Sequence, residues 1–149
     1  SSAASEWLAA GQPWFGRGEA WEGRSVALSN RADGKRVLRI AGCRTEDMGQ
    51  WAGATPQALY GATVNVRAKT SPGTSTHLVL SFLDEKGKHL DAWRIDRLPP
   101  DPAVQETTLC VIAKAPPTAK YVGFGLRVLN QINDDFAEFS DASLRRLDP

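Results

Sequence analysis

The chain is poor in the residues on which most enzyme chemistry rests. Among 149 residues it has two histidines, His77 and His89, two cysteines, Cys43 and Cys110, and one methionine. No His pair stands at zinc spacing, neither histidine lies near a cysteine in sequence, and there is no Gly-x-Ser-x-Gly and no phosphate-cradling glycine loop. Nucleophilic, zinc and nucleotide chemistry therefore lack their usual marks. Carboxylates remain as Asp134, Asp135 and Glu138, but their position beside and on a strand reads as solvated acids rather than a glycoside-cleaving pair with split pKa values. No run of about 18 apolar residues occurs. A net charge of +1, from 18 Lys and Arg against 17 Asp and Glu, offers no general field for nucleic acid or an anionic membrane.

What is present is ordinary for a folded chain: 42% hydrophobic and 23% charged residues, at a length that suits one core and is short for two. The opening SSAAS is small and polar, like a linker, so a mature or excised domain is expected, with residues 1–18 an extension packing on a single domain over 19–149. Trp7, Trp14, Phe15 and Trp21 crowd that end, read as a segment packed across an edge or base, with Trp14 or Trp21 a minority contribution to a site. Cys43 and Cys110 are compatible with one bridge between neighbouring strands or with two isolated thiols.

The hydrophobic pattern has period two almost throughout. In LYGATVNVRAK, Tyr60, Ala62, Val64, Val66 and Ala68 share one face, leaving Thr63, Asn65 and Arg67 on the other. THLVLSFLD is apolar on both faces, as an interior strand requires. DEKGK and NRADGK supply glycines where tight connections need positive φ, and APPT is a break. KYVGFGLRVL places Val122, Phe124, Leu126 and Val128 toward a core, with Tyr121, Gly123, Gly125 and Arg127 outward. The last strand, within 133–147, carries Asp141 between Ser140, Ala142 and Leu144, all three assigned to the core. SEWLAA alone could make a short helical turn. About eight strands with turn residues between them predict an all-β fold, an antiparallel jelly-roll β-sandwich.

The ordered segments GKRVLRIAG, WAGATPQALYGATVNVRAK, LSFLDEKGKHL, AKAPPTAKYVGFGLRVL and FAEFSDASL span about residues 34–147. Together they resemble carbohydrate-binding modules of the galactose-binding-like β-sandwich type, including those that bind xylan and other β-glycans. Trp51 and Gly53 stand where such modules carry a Trp-x-Gly segment, and Val66-Arg67 match the end of the strand that follows. The family's closing Asp-Asp-Val-Ser-Leu is Ser140-Asp141-Ala142-Ser143-Leu144 here, so the structural calcium the resemblance implies loses one acid of its pair. The resemblance implies a noncatalytic module for a polysaccharide or oligosaccharide, appended to a glycoside hydrolase or polysaccharide lyase and secreted or extracellular.

Sugar recognition needs flat apolar surfaces beside fixed polar groups. The candidates are Tyr121 and Arg127, flanking two glycines that leave a bare strip of sheet for a chain-like ligand, and Asn65 and Arg67, provided their strand joins the same sheet. A merely solvated sheet face is the alternative. Trp51, where the resemblance places a binding tryptophan, is otherwise a plug under a loop. Trp93 is exposed if Leu90 and Ala92 take the core, and buried in the other phase. Arg67, Arg127 and Arg44 would favour an acidic glycan. Asp141 is either a calcium ligand with help from Asp134, Asp135, Asn30 or Asp33, or a surface acid paired with Arg145 or Arg146. The competing function is a structural or protein-interaction sandwich with no sugar site.

Overall fold

A computed structural model describes residues 15–16, 25–42, 45–99, 104–132 and 134–148, with the side chains of 15–16, 25–29 and 45–48 left out of the description. Among the described residues, ten strands form two antiparallel sheets. They are β1 (Phe15–Gly16), β2 (Ser25–Asn30), β3 (Arg36–Ala41), β4 (Thr45–Gly53), β5 (Leu59–Lys69), β6 (Ser75–Leu83), β7 (Arg94–Leu98), β8 (Glu106–Lys114), β9 (Tyr121–Leu129) and β10 (Phe136–Arg146). The first sheet runs β1-β4-β9-β6-β7 and the second β2-β3-β10-β5-β8. The expected all-β sandwich is what the chain forms. Residues 15–16, inside the stretch read as an extension, add an edge strand to the first sheet by pairing with β4.

Alternation explains the two layers. On β9, Val122, Phe124, Leu126 and Val128 are buried in the core shared with Leu78, Leu80 and Phe82 of β6. From the second sheet come Leu38 and Ile40, the even-numbered Tyr60 to Ala68, Leu109 and Val111, and Phe139. Tyr60 stacks edge-on against Phe82 with centroids 6.2 Å apart. Its phenol oxygen accepts the Thr55 N–H at 2.8 Å, so the polar tip of a buried ring is satisfied. Both turn readings hold: Gly34 closes the β2–β3 hairpin at φ 85° and Gly87 the β6–β7 connection at φ 79°, a conformation cheap only for glycine. The strand expected over HLDAWRID is shorter. Only Arg94–Leu98 is strand, with His89 making one isolated bridge to Leu83.

The acid in the last strand marks a change of phase. Ala137 and Phe139 face the core on odd numbers, whereas Ala142 and Leu144 do so on even numbers. The β10–β5 register shifts between Ser140 and Ser143, and Asp141 absorbs the extra residue at φ 53°. This is a β-bulge. A single even phase, as read from the sequence, would have put Phe139 outside. Asp141 itself is exposed, with Oδ2 3.0 Å from both Lys35 Nζ and Asn65 Nδ2. Its partners are thus neither Arg145 nor Arg146.

Because a β-branched residue is strained in the left-handed region by about 1–2 kcal/mol, Asp141→Val should lower the urea unfolding free energy by that order. Asp141→Gly, which removes the same side-chain contacts but tolerates the backbone, should cost clearly less. Equal losses in the two variants would show that the side chain, not the backbone, matters there.

Candidate functional site

Register lays out the outer face of the first sheet in rows across the strands. Trp51 on β4 is the Cα partner of Gly123 on β9, which partners Ser81 on β6. Continuing the β6–β7 register by one residue brings Trp93 beside Ser81. The adjoining row is Gly53, Tyr121, Leu83 and His89. Tyr121 is 39% and Trp93 52% exposed, and Trp51 is half-buried. Trp93 takes the exposed phase because Leu90 and Ala92 pack on the core.

Trp51 is a strand residue, not part of a loop. Its indole lies flat over Gly123: a Cβ added there would sit 2.5 Å from Trp51 Cδ2 and 2.8 Å from Cζ3. The bare glycine is therefore what lets the ring lie down on the sheet. His89, itself exposed, meets Trp51 edge-on at 5.9 Å between centroids and 67° between planes. The outcome is an aromatic cluster of Trp51, His89 and Tyr121, with Trp93 across a floor of Gly123 and Ser81. Flat rings beside small residues can present an apolar surface to C–H groups, with the hydroxyl of Ser81 and the imidazole of His89 as polar contacts. A cleft of about 480 Å³ opens at the adjoining loop end, lined by Pro56, Asp84, Lys86, Pro117 and Lys120 among others.

Farther along the same face, Arg127, His77 and Arg97 form a second row. Arg97 Nε donates to His77 Nε2 at 3.1 Å. Burial, reinforced by the charges of Arg97 and Arg127, holds the His77 imidazole below the usual histidine range.

Two of the expected site residues do not join this face. Asn65 and Arg67 point outward as expected, but β5 belongs to the second sheet, on the opposite side of the molecule from Tyr121 and Arg127. Period-two alternation gives the face of a strand and not the sheet it joins. Both side chains are also engaged. Asn65 binds Asp141 at 3.0 Å and Thr108 Oγ1 at 2.7 Å, and Arg67 lies 3.6 Å from Glu138, which Arg39 also contacts at 2.9 Å. Arg44, Cys43, Trp7, Trp14, Trp21 and the SEWLAA segment lie outside the described residues, as does the Phe15 side chain. Cys110 is an exposed free thiol.

The acids near the last strand do not fit a hard cation. Asp141 faces Lys35, Asp134 pairs with Lys69, and Asp33 pairs with Arg31 at 2.8 Å. Among the described residues no three His, Cys, Asp or Glu side chains gather at metal-binding distance. Asp135, read as solvated, is buried. It accepts hydrogen bonds from Ser71 Oγ at 2.8 Å, Thr74 Oγ1 at 3.0 Å and the Ile132 N–H at 2.9 Å, which closes the connection between β9 and β10.

His89, Ser81, His77 and Arg97 were missed by sequence reasoning. Their signal was phase: positions 93, 95 and 97 alternate together, as do 77, 79 and 81. The apolar character of β6 on both faces hid which of them line the outer side.

No protein-family model matches the chain, and no curated protein matches it by sequence. Solved structures share its fold. The enzymatically active domain of tailspike protein 4 from bacteriophage CBA120 matches with a TM-score of 0.70 at 14% identity, covering 91% of this chain and 20% of that one. The CBM22-1 and GH10 modules of Clostridium thermocellum xylanase 10B, complexed with xylohexaose, match at 0.64 and 17%, covering 91% and 26%. TmCBM61, in complex with β-1,4-galactotriose, matches at 0.61 and 13%, covering 91% and 90%. The chain thus spans a minor part of the tailspike and xylanase chains and nearly all of a single carbohydrate-binding module. Its fold is the β-sandwich of such modules.

Two outcomes are expected from this geometry. Gly123→Val should force the Trp51 indole off the sheet, lowering stability by about 1–3 kcal/mol and altering the near-UV circular dichroism; an unchanged spectrum would mean the ring does not lie on Gly123. For His77, whose folded pKa is below 6.5, the unfolded chain takes up the proton more readily. Its stabilising share is complete above pH 6.5 and is lost as pH falls from there toward the folded value. His77→Gln should therefore flatten the fall of Tm with pH below 6.5.

Proposed function

We propose that this chain is a noncatalytic carbohydrate-binding module that holds a polysaccharide on the outer face of its first sheet. The observation that carries the reading is the set of aromatics on one open face: Trp51 laid on Gly123, with Tyr121 and Trp93 exposed around a floor of glycine and serine. Several exposed rings gathered on one face, rather than scattered singly, are the mark of a binding surface. Trp51, Trp93, Tyr121 and Arg127 stay in the site; Asn65 and Arg67 leave it, and Asp141 serves the bulge.

The fold neighbours support the reading in kind, since one was solved with xylohexaose and another with β-1,4-galactotriose. The ligand runs along the strip of β9 from Tyr121 past Gly125 to Arg127, about 20 Å for six residues of strand, so a chain of several sugar units is accommodated. In its parent protein the module raises the local concentration of an attached glycoside hydrolase or polysaccharide lyase on its substrate, in a secreted or extracellular setting. The competing reading, a protein-interaction sandwich, draws on the groove of about 270 Å³ on the second sheet, lined by Gly61, Cys110, Leu147 and Ile112, the last 54% exposed.

Affinity electrophoresis through gels containing neutral and uronic-acid polysaccharides tests the proposal. Retardation by at least one polymer is expected, with affinity reduced about tenfold or more in Trp93→Ala and in Trp51→Ala. Unchanged thermal unfolding of Trp93→Ala separates lost binding from lost fold. Uniform migration across the panel would favour the protein-interaction reading.

A further inference from the structure

The face that carries the aromatics ends in a different chemistry. About 13 Å along the strands from the Trp51–Gly123–Ser81 row, the partnered outward positions are Arg127 on β9, His77 on β6 and Arg97 on β7. His77 belongs to the outer face yet is only 3% exposed. The bond from Arg97 Nε makes Nε2 an acceptor and so places the ring proton on Nδ1. That Nδ1 is buried with no hydrogen-bond partner. A buried donor without an acceptor is costly unless something else satisfies it.

At this end the register sets Asp47 of β4 opposite Arg127 of β9, whereas Arg97 lies two strands farther on, on β7. Burial, and after it the charges of Arg97 and Arg127, opposes protonation of the imidazole between the two guanidinium groups. The nearest acid in sequence, Asp96, is turned away: its carboxylate accepts the backbone N–H groups of Arg97 at 3.0 Å and Cys110 at 2.9 Å. Among the described residues no carboxylate forms an ion pair with Arg97. Its Nε is held by His77, which aims the planar fork and leaves its Nη donors for an external acceptor.

We propose that Arg97 and His77, with Arg127 beside them, form a subsite for an anionic substituent of the bound polysaccharide, a carboxylate or a sulfate. This rests on the carbohydrate-binding reading and narrows it to an acidic glycan. The oxyanion takes the bidentate fork of Arg97 while the sugar rings lie toward Trp51 and Tyr121. The ligand's position is thereby fixed at both ends of the β9 strip. Acidic preference had been expected from Arg67 and Arg44 as well as Arg127. Arg67 is on the far sheet and bound to Glu138, so the charge readout moves to β6 and β7.

The test compares each polyanion with a partner that lacks the charge: polygalacturonate against its methyl ester for the carboxylate, and carrageenan against agarose for the sulfate. Wild-type protein should be retarded more by one charged polymer than by its uncharged partner, and less so as salt is raised. Arg97→Gln should lose about tenfold or more of that affinity while still unfolding in one cooperative transition, Arg97→Lys should lose part of it, and Arg67→Gln none. Whichever pair responds identifies the anion. Equal binding of charged and uncharged polymers, or full retention in Arg97→Gln, would overturn the subsite and leave glycan binding intact. Failure to bind any polymer, neutral xylan and galactan included, would overturn both.

Discussion

The molecule depends on one constraint: every second residue of β9 and β6 must meet every second residue of β5 and β10 in a shared dry layer. Phe82, Leu80, Leu126, Val64, Val66 and Phe139 are essentially removed from water. Each such side chain contributes on the order of 1.5–3 kcal/mol relative to exposure. What the core claims from each strand decides what remains outside. On β9 the remainder is Tyr121, Gly123, Gly125, Arg127 and Leu129, so the sugar-facing strip is the complement of the core.

The two outer faces are then treated oppositely. On the second sheet polar side chains bind one another: Glu138 with Arg39 and Arg67, Asn65 with Asp141 and Thr108, and Arg39 over the Phe136 ring at 4.3 Å. Most of these groups find partners within the protein, although Glu138 Oε1 accepts no hydrogen bond and has only the Arg67 charge nearby. On the first sheet small residues and rings leave room, and the polar groups at its far end, His77 Nδ1 and the guanidinium of Arg97, lack such closure. Unsatisfied hydrogen-bonding capacity beside an apolar floor is the arrangement a hydroxylated or acidic ligand completes.

Asp141 shows how a local irregularity serves the whole. The apolar residues of β10 change phase between Phe139 and Ala142, and a straight strand would expose one half of them or bury the acid. The bulge resolves the conflict by placing the one residue that accepts positive φ with modest strain, an aspartate, at the point of excess.

Much of this was legible in the sequence. The period-two alternation fixed the strands, their inward residues and the outward set Tyr121, Gly123, Gly125 and Arg127, because burial of alternate side chains is a local property of the chain. Glycines at positions 34 and 87 announced their turns for the same reason. Sheet membership was not legible, because hydrogen-bonded neighbours of a strand come from segments distant in sequence and any apolar strand can satisfy them. Hence Asn65 and Arg67, expected beside Tyr121 on condition that their strand shared its sheet, lie across the molecule, and the partnership of Arg97 with His77, twenty residues apart, went unseen. The glycine strip was written in the sequence; only the tertiary structure could lay Trp51 upon it, because that contact needs β4 and β9 side by side.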